Sequence, residues 1–270
     1  MAVTALDTSQ NARNLVACLK DKGIKAIGRY YTKNRSNSKI LKADEARKLS
    51  DIGISIWPVY QNRHRKRVDF SSSIGNREAK DALDYAKTVI KQPAGSAIYF
   101  SADFDADPDT YNNAIRPHFE AISAAFAAAG NPYRIGVYSS GFVCKRLLDA
   151  GLVQLTWLSQ SGGFRGTPEF KASGRWNILQ KLPVTNFCNF NDDVDPDEIN
   201  AGNGDFGGFL LQAAAAGAVS ARRAKRPGSK RAKSTRRSLK SAARKSSSAG
   251  AKRRESLAGV KRKKGKKRRP

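Results

Sequence analysis

Residues 97–105 read AIYFSADFD, and they are followed by a helical run, Tyr111–Ala129, a Gly130-Asn131-Pro132 stop and a second extended run, RIGVYSS, at 134–140. A strand closing on two acids, a helix with a strong terminator and another strand make a βαβ unit with parallel strands. The same alternation extends outward in both directions. Before it come the strand Val3–Asp7, the helix Asn11–Lys22, AIGRYY at 26–31, the helix Ala43–Asp51, ISIWPVYQ at 54–61 and the helix Gly75–Lys91. After it come the helix Phe142–Ala150, LTWLSQ at 155–160, WNILQK at 176–181, an extended piece around Val194 and an Ala-rich helix near Phe209–Ala218. About eight β segments, most followed by a helix, predict an α/β fold: a TIM-type (β/α)8 barrel, irregular in its last units. A doubly wound open sheet has the same alternation and is the alternative.

Charge divides the 270-residue chain in two. Lys and Arg number 50 against 23 Asp and Glu, yet residues 221–270 hold 23 of the bases and one acid, Glu255. The remaining residues carry 27 bases and 22 acids, so the body is nearly neutral. The expected organisation is a barrel domain over 1–218 and a disordered Lys/Arg/Ser/Ala-rich tail over 219–270, because the tail has too little apolar surface to offset the entropy of ordering. Such a tail is expected to bind polyanions through counterion release. DNA or RNA is the first candidate partner, with teichoic acid, lipopolysaccharide or an anionic membrane surface next. It has no aromatic residue for stacking on bases.

No run approaches the roughly 18–20 apolar residues of a membrane span. No secretory leader is visible at the N-terminus, so the expected compartment is cytoplasmic or reached by a non-classical route, or nuclear in a eukaryote. Cys18, Cys144 and Cys188 show no metal-ligand spacing and read as buried apolar thiols. With His64 and His118 as the two histidines, neither a zinc site nor a Cys–His nucleophile is expected, and no cofactor is called for. His64 lies among Arg63, Arg65, Lys66 and Arg67 and reads as part of a solvated loop, whereas His118 reads as structural.

Acids and aromatics concentrate at strand ends: Asp7, Tyr30, Tyr60, Gln61, Asp103, Asp105, Tyr138, Trp157, Gln180, and finally Asp193 and Asp195. In a barrel these ends meet at one rim, where active sites are built. Carboxylates with Tyr, Trp and Gln make a sugar site, in which rings stack on pyranoses and paired acids move a proton at the glycosidic oxygen. Asp103 and Asp105, two apart on a strand, are expected on one side, each raising the pKa of the other. Asp109 is expected to cap the following helix. A calcium loop is excluded, because Pro108 stands where the loop needs Gly. Trp57, Phe100 and Phe119 are expected in the core.

The ordered series ALDTS, GRYY, IWPVYQ, IYFSADFD, RIGVYSSGFVCKRLLDAG, TWLSQS, WNILQ and DDVD resembles a bacterial glycoside-hydrolase-like family related to the family 25 lysozymes, over about residues 3–200. The resemblance implies a TIM-type barrel and a cell-wall-type polysaccharide substrate, such as peptidoglycan. It implies Asp7 as the strand-one acid and Asp103 as the first acid of a D-x-E motif. Asp105 stands where the lysozymes place their general-acid Glu, one methylene short. Tyr138, Trp157 and Gln180 match the lining, with Asp193 or Asp195 as the late acid. The expected function is glycosidase chemistry with Asp105 as acid and Asp103 or Asp7 as base or charge stabiliser. The alternatives are a carbohydrate-binding barrel without turnover, or a nucleic-acid-associated protein acting through its tail.

Overall fold

The computed structural model describes residues 4–212. Eight strands close into one barrel in sequence order. They are β1 (Ala5–Asp7), β2 (Ala26–Tyr31), β3 (Ser55–Tyr60), β4 (Ala97–Ala102), β5 (Arg134–Ser139), β6 (Leu155–Leu158), β7 (Ile178–Gln180) and β8 (Asp195–Ile199). The helices are α1 (Val16–Asp21), α2 (Ala43–Asp51), α3 (Ser72–Asp84), α4 (Pro108–Thr110), α5 (Arg116–Ala128), α6 (Gly141–Asp149) and α7 (Thr167–Ala172). Wider turns at Tyr85–Ile90 and Tyr111–Ile115 extend α3 and join α4 to α5.

Strands β1 to β7 pair in parallel, as the βα alternation predicts. The last unit breaks the pattern. β8 is antiparallel to both of its neighbours, with Asp7 opposite Asp195 and Gln180 opposite Asp197.

Side chains alternate along each strand, so every second residue points inward. Ala5, Ala26, Trp57, Val59, Ala97, Tyr99, Leu155, Trp157 and Ile178 fill the barrel interior. Two glycines make room for the large rings. A Cβ on Gly28 would meet Trp57 at 2.8 Å and Asp7 Cβ at 2.7 Å, and one on Gly136 would meet the Tyr99 ring at 2.4 Å. The outward residues Leu6, Ile27, Ile56, Ile98, Phe100 and Val137 pack with Leu49, Ala79, Phe119, Phe126 and Leu147 of the helices. Trp57, Phe100 and Phe119 are core, as expected.

Several local expectations need correction. Phe209 pairs antiparallel with Ile56 and is not helical. Its segment covers the N-terminal mouth of the barrel, where Gly207 O accepts from Ala97 N. Residues 213–218 of that expected helix, and the whole basic tail, lie outside the described residues. Asp107, and not Asp109, caps the helix after β4 by accepting from Thr110 N at 2.7 Å. Asp109 pairs with Arg67 and Asn113.

Cys18 and Cys188, 170 residues apart, form a disulfide, so only Cys144 remains a buried thiol. His64 is buried, because its ring bridges Ser101 and Glu78 and its solvated neighbours do not carry it outward. No helix among the described residues is long and apolar enough to cross a membrane.

Candidate functional site at the C-terminal rim

The C-terminal ends of the parallel strands surround a cleft of about 280 Å³ lined by Tyr30, Gln61, Arg65, Ser101, Asp103, Tyr138, Trp157, Gln160, Ser161, Gln180 and Asp195. Because β8 runs the other way, its first residues reach this rim. That reversal places Asp195 beside Asp7, at the end of β1.

Gln180 Nε2 donates to Asp7 Oδ2 at 2.8 Å and to Asp195 Oδ2 at 3.3 Å, so one amide bridges two carboxyls. The Tyr30 hydroxyl donates to Asp7 Oδ1 at 3.3 Å. The Tyr138 hydroxyl donates to Gln180 Oε1 at 2.8 Å, fixing which way the amide faces. Across the cleft, Gln61 Nε2 lies 3.5 Å from Asp103 Oδ2, and Arg65 Nε stands 4.0 Å from the same oxygen.

Asp197, two residues deeper along β8, is a member that sequence reading missed. Its Oδ1 accepts from Trp157 Nε1 at 2.8 Å, while Oδ2 has no partner among the described residues. Alternation along β8 signals it, since Asp195 and Asp197 share a face.

Burial without counter-charge shapes the electrostatics. Desolvation, then the Asp195 charge, pushes the Asp7 carboxyl up to about 8, against the lowering effect of its Gln180 and Tyr30 hydrogen bonds. Burial and then Asp7 push Asp197 well above the carboxylate range. At neutral pH this inner pair therefore holds a proton. Asp195, half-buried, rises to about 6 through desolvation, Asp193 and Asp103. Asp103 is also raised by burial, while Arg65, Gln61 and Lys39 favour its charged form. The cleft thus holds carboxyls of graded acidity, the condition for separate acid and base roles.

Asp7, Tyr30, Gln61, Asp103, Tyr138, Trp157, Gln180 and Asp195 come together as the sequence suggests. Three expected residues stand apart. β4 ends at Ala102, so Asp103 and Asp105 leave the sheet, and the exposed Asp105 accepts from Arg165 N at 2.8 Å outside the cleft. Val59 takes the inward position on β3, so Tyr60 points outward and donates to Asp81 Oδ2 at 3.0 Å. Asp193 is exposed in the loop before β8 and reaches the cleft only through its charge on Asp195.

A closed barrel with carboxyls, amides and aromatic rings at its C-terminal mouth defines a glycoside-hydrolase-like domain. Residues 17–195 match the model of the Rv2525c-like, glycoside hydrolase-like domain, and the chain belongs to that family. The uncharacterized protein YbfG of Bacillus subtilis (strain 168) is 32% identical over 173 residues, which are 60% of this chain and 24% of YbfG. The chain spans 24% and 30% of the lengths of the two curated relatives it matches.

Among solved structures, the Tat-secreted protein Rv2525c of Mycobacterium tuberculosis has a TM-score of 0.58 at 20% identity, covering 74% of this chain and 96% of that one. The CTP1L endolysin has a TM-score of 0.50 at 11% identity, covering 74% and 67%, and shares the fold. Rv2525c is a Tat-secreted protein, and that finding stands against the cytoplasmic or nuclear expectation. The Cys18–Cys188 disulfide agrees, since such bonds persist in oxidising compartments.

Proposed function

We propose that the chain is an exported glycosidase acting on a cell-wall-type polysaccharide, peptidoglycan or a similar amino-sugar glycan. The observation that carries this reading is the gathering of Asp103 and Asp195 in an open cleft with aromatic and amide groups. Asp195, with its carboxyl near 6, protonates the glycosidic oxygen. Asp103, whose charged form Arg65 and Lys39 favour against its burial, acts as base or stabilises positive charge on the sugar ring. Asp7 and Asp197 hold their proton behind Gln180 and set the polarity of the inner wall. Tyr138, part-exposed over the buried Trp157 ring, supplies an apolar face, and Gln160 offers an oxygen with no partner among the described residues. The 23 bases of residues 221–270 hold the enzyme on anionic polymer, with steeply salt-dependent affinity.

Release of reducing ends from purified peptidoglycan by the full chain tests the proposal. Wild-type release that is lost in both Asp103→Asn and Asp195→Asn supports it. No release by wild type, or undiminished release by both variants, defeats it. Loss in Asp105→Asn with Asp195→Asn active would return the acid role to Asp105.

The second reading, a carbohydrate-binding barrel without turnover, is favoured by one observation: Asp105 is tied to the Arg165 backbone outside the cleft. Retention of glycan without cleavage would select it.

A further inference from the structure

Beside the cleft wall, between the C-terminal end of β4 and the helices α3 and α5, His64, Glu78 and His118 form a buried cluster that the glycosidase reading does not use. One ligand-capable atom from each lies within 4.8 Å of the others. We propose that this cluster is a binding site for a divalent transition metal of the zinc class, held by His64 Nε2, a Glu78 carboxylate oxygen and His118 Nε2.

The donor set comes first. Two imidazole nitrogens and one carboxylate are the ligands that zinc, cobalt and nickel share. Glu78 Oε2 is 2.8 Å from His64 Nε2 and 3.5 Å from His118 Nε2. A tetrahedral ion with bonds of about 2.0–2.1 Å needs ligand atoms about 3.3 Å apart, a spacing those two distances bracket.

The second line of argument is the His118 imidazole. It is fully buried, and neither ring nitrogen has a hydrogen-bond partner among the described residues. A buried imidazole left so costs free energy, and a metal ion on Nε2 removes the share of that cost carried by Nε2.

The outer shell is also present. His64 Nδ1 is 2.9 Å from Ser101 Oγ, and Asn62 Nδ2 donates to the other Glu78 oxygen, Oε1, at 2.8 Å. Such contacts orient metal ligands and fix which ring nitrogen faces the ion. Phe70 covers the group, its ring 5.3 Å from that of His64 and 5.1 Å from that of His118.

The helices are built to meet there. Gly75 sits one turn before Glu78 on α3, and a Cβ at that position would lie 2.2 Å from the His118 carbonyl oxygen of α5. A glycine at this crossing lets the two ligand-bearing helices approach. The site also touches the cleft, because His64 O accepts from Asp103 N at 2.9 Å. An ion that fixes His64 therefore fixes the loop carrying Gln61 and Arg65 and the backbone at Asp103.

The chain has two histidines, so their ring-nitrogen resonances report on this site alone. One equivalent of Zn²⁺ added to the chelator-treated, ¹⁵N-labelled full chain is expected to shift the Nε2 signals of both histidines. Co²⁺ is expected to give the visible absorption of a tetrahedral centre. Zinc that binds while either histidine signal stays in place, or an absence of binding, overturns the proposal. Asn62→Ala keeps all three ligands and is expected to weaken binding by about 10- to 100-fold. An affinity equal to that of wild type in Glu78→Gln would overturn the proposal as well. Should either variant fail to fold, the wild-type resonances decide.

Discussion

Asp7 and Arg29 lie on neighbouring strands, both almost wholly buried, yet on opposite faces of the sheet. Arg29 points outward, where its Nε meets Glu45 Oε1 at 2.7 Å and Nη1 donates to the Thr8 carbonyl. Glu45 Oε1 also accepts from Ala12 N at 2.9 Å, so the pair ties α2 to β2 and to the segment after β1. Asp7 points inward, among Asp195 and Asp197 and without a cation in contact. Burial is matched by opposite charge on the outer face. On the inner face like groups crowd together and rise in pKa. The outer arrangement holds the fold, and the inner one gathers carboxyls of raised pKa beside the cleft.

Substitutions sharpen this contrast. The largest expected effect is on catalysis: Asp103→Asn should lower glycan cleavage by about 10²–10⁴-fold, the usual worth of a proton-transfer group, with the melting temperature little changed. Glu45→Gln reverses the signature. It leaves Arg29 uncompensated and should cost about 3–5 kcal/mol in denaturant unfolding, with activity per folded molecule retained.

The third test is pH. The Asp7 carboxyl is raised in the folded state, so the folded chain holds a proton that the unfolded chain releases near the ordinary value of 3.8. Its contribution to stability is complete below that value and is lost as pH rises toward about 8. Unfolding measured from pH 4 to 8 should show this decline, and Asp7→Asn should flatten it. The smallest effect belongs to the exposed Lys145–Asp149 pair on α6, whose removal should change stability by about 0.5 kcal/mol or less.

Much of the barrel was legible from the chain. AIYFSA and RIGVYS, the apolar parts of those runs, became β4 and β5 in full parallel register, because apolar runs bounded by turn signals carry their own periodicity. The rim acids Asp7 and Asp103 were legible for the same reason, since each lies at or just beyond the end of an apolar strand.

The antiparallel β8 was hidden. Its sequence, DPDEI, has no apolar run, and it becomes a strand only by pairing with β1 and β7. Asp197 was missed with it. Asp105 read as a partner of Asp103 only if β4 continued past Ala102, and the strand stops there. His64 looked solvated among arginines, because the groups that bury it, Ser101 and Glu78, come from a distant strand and helix.

Local order therefore followed from the residues alone: strands and helices in alternation, a largely parallel sheet, acids at strand ends, and a tail whose bases outnumber its acids 23 to one. Tertiary structure alone decided the direction of the closing strand, the pairing of Cys18 with Cys188 and which acids share the cleft. It also decided that two histidines on separate elements face one buried glutamate. The physical reason is range: periodicity acts over a few residues, whereas burial, charge pairing and disulfide geometry are set by groups that meet only once the chain has closed on itself.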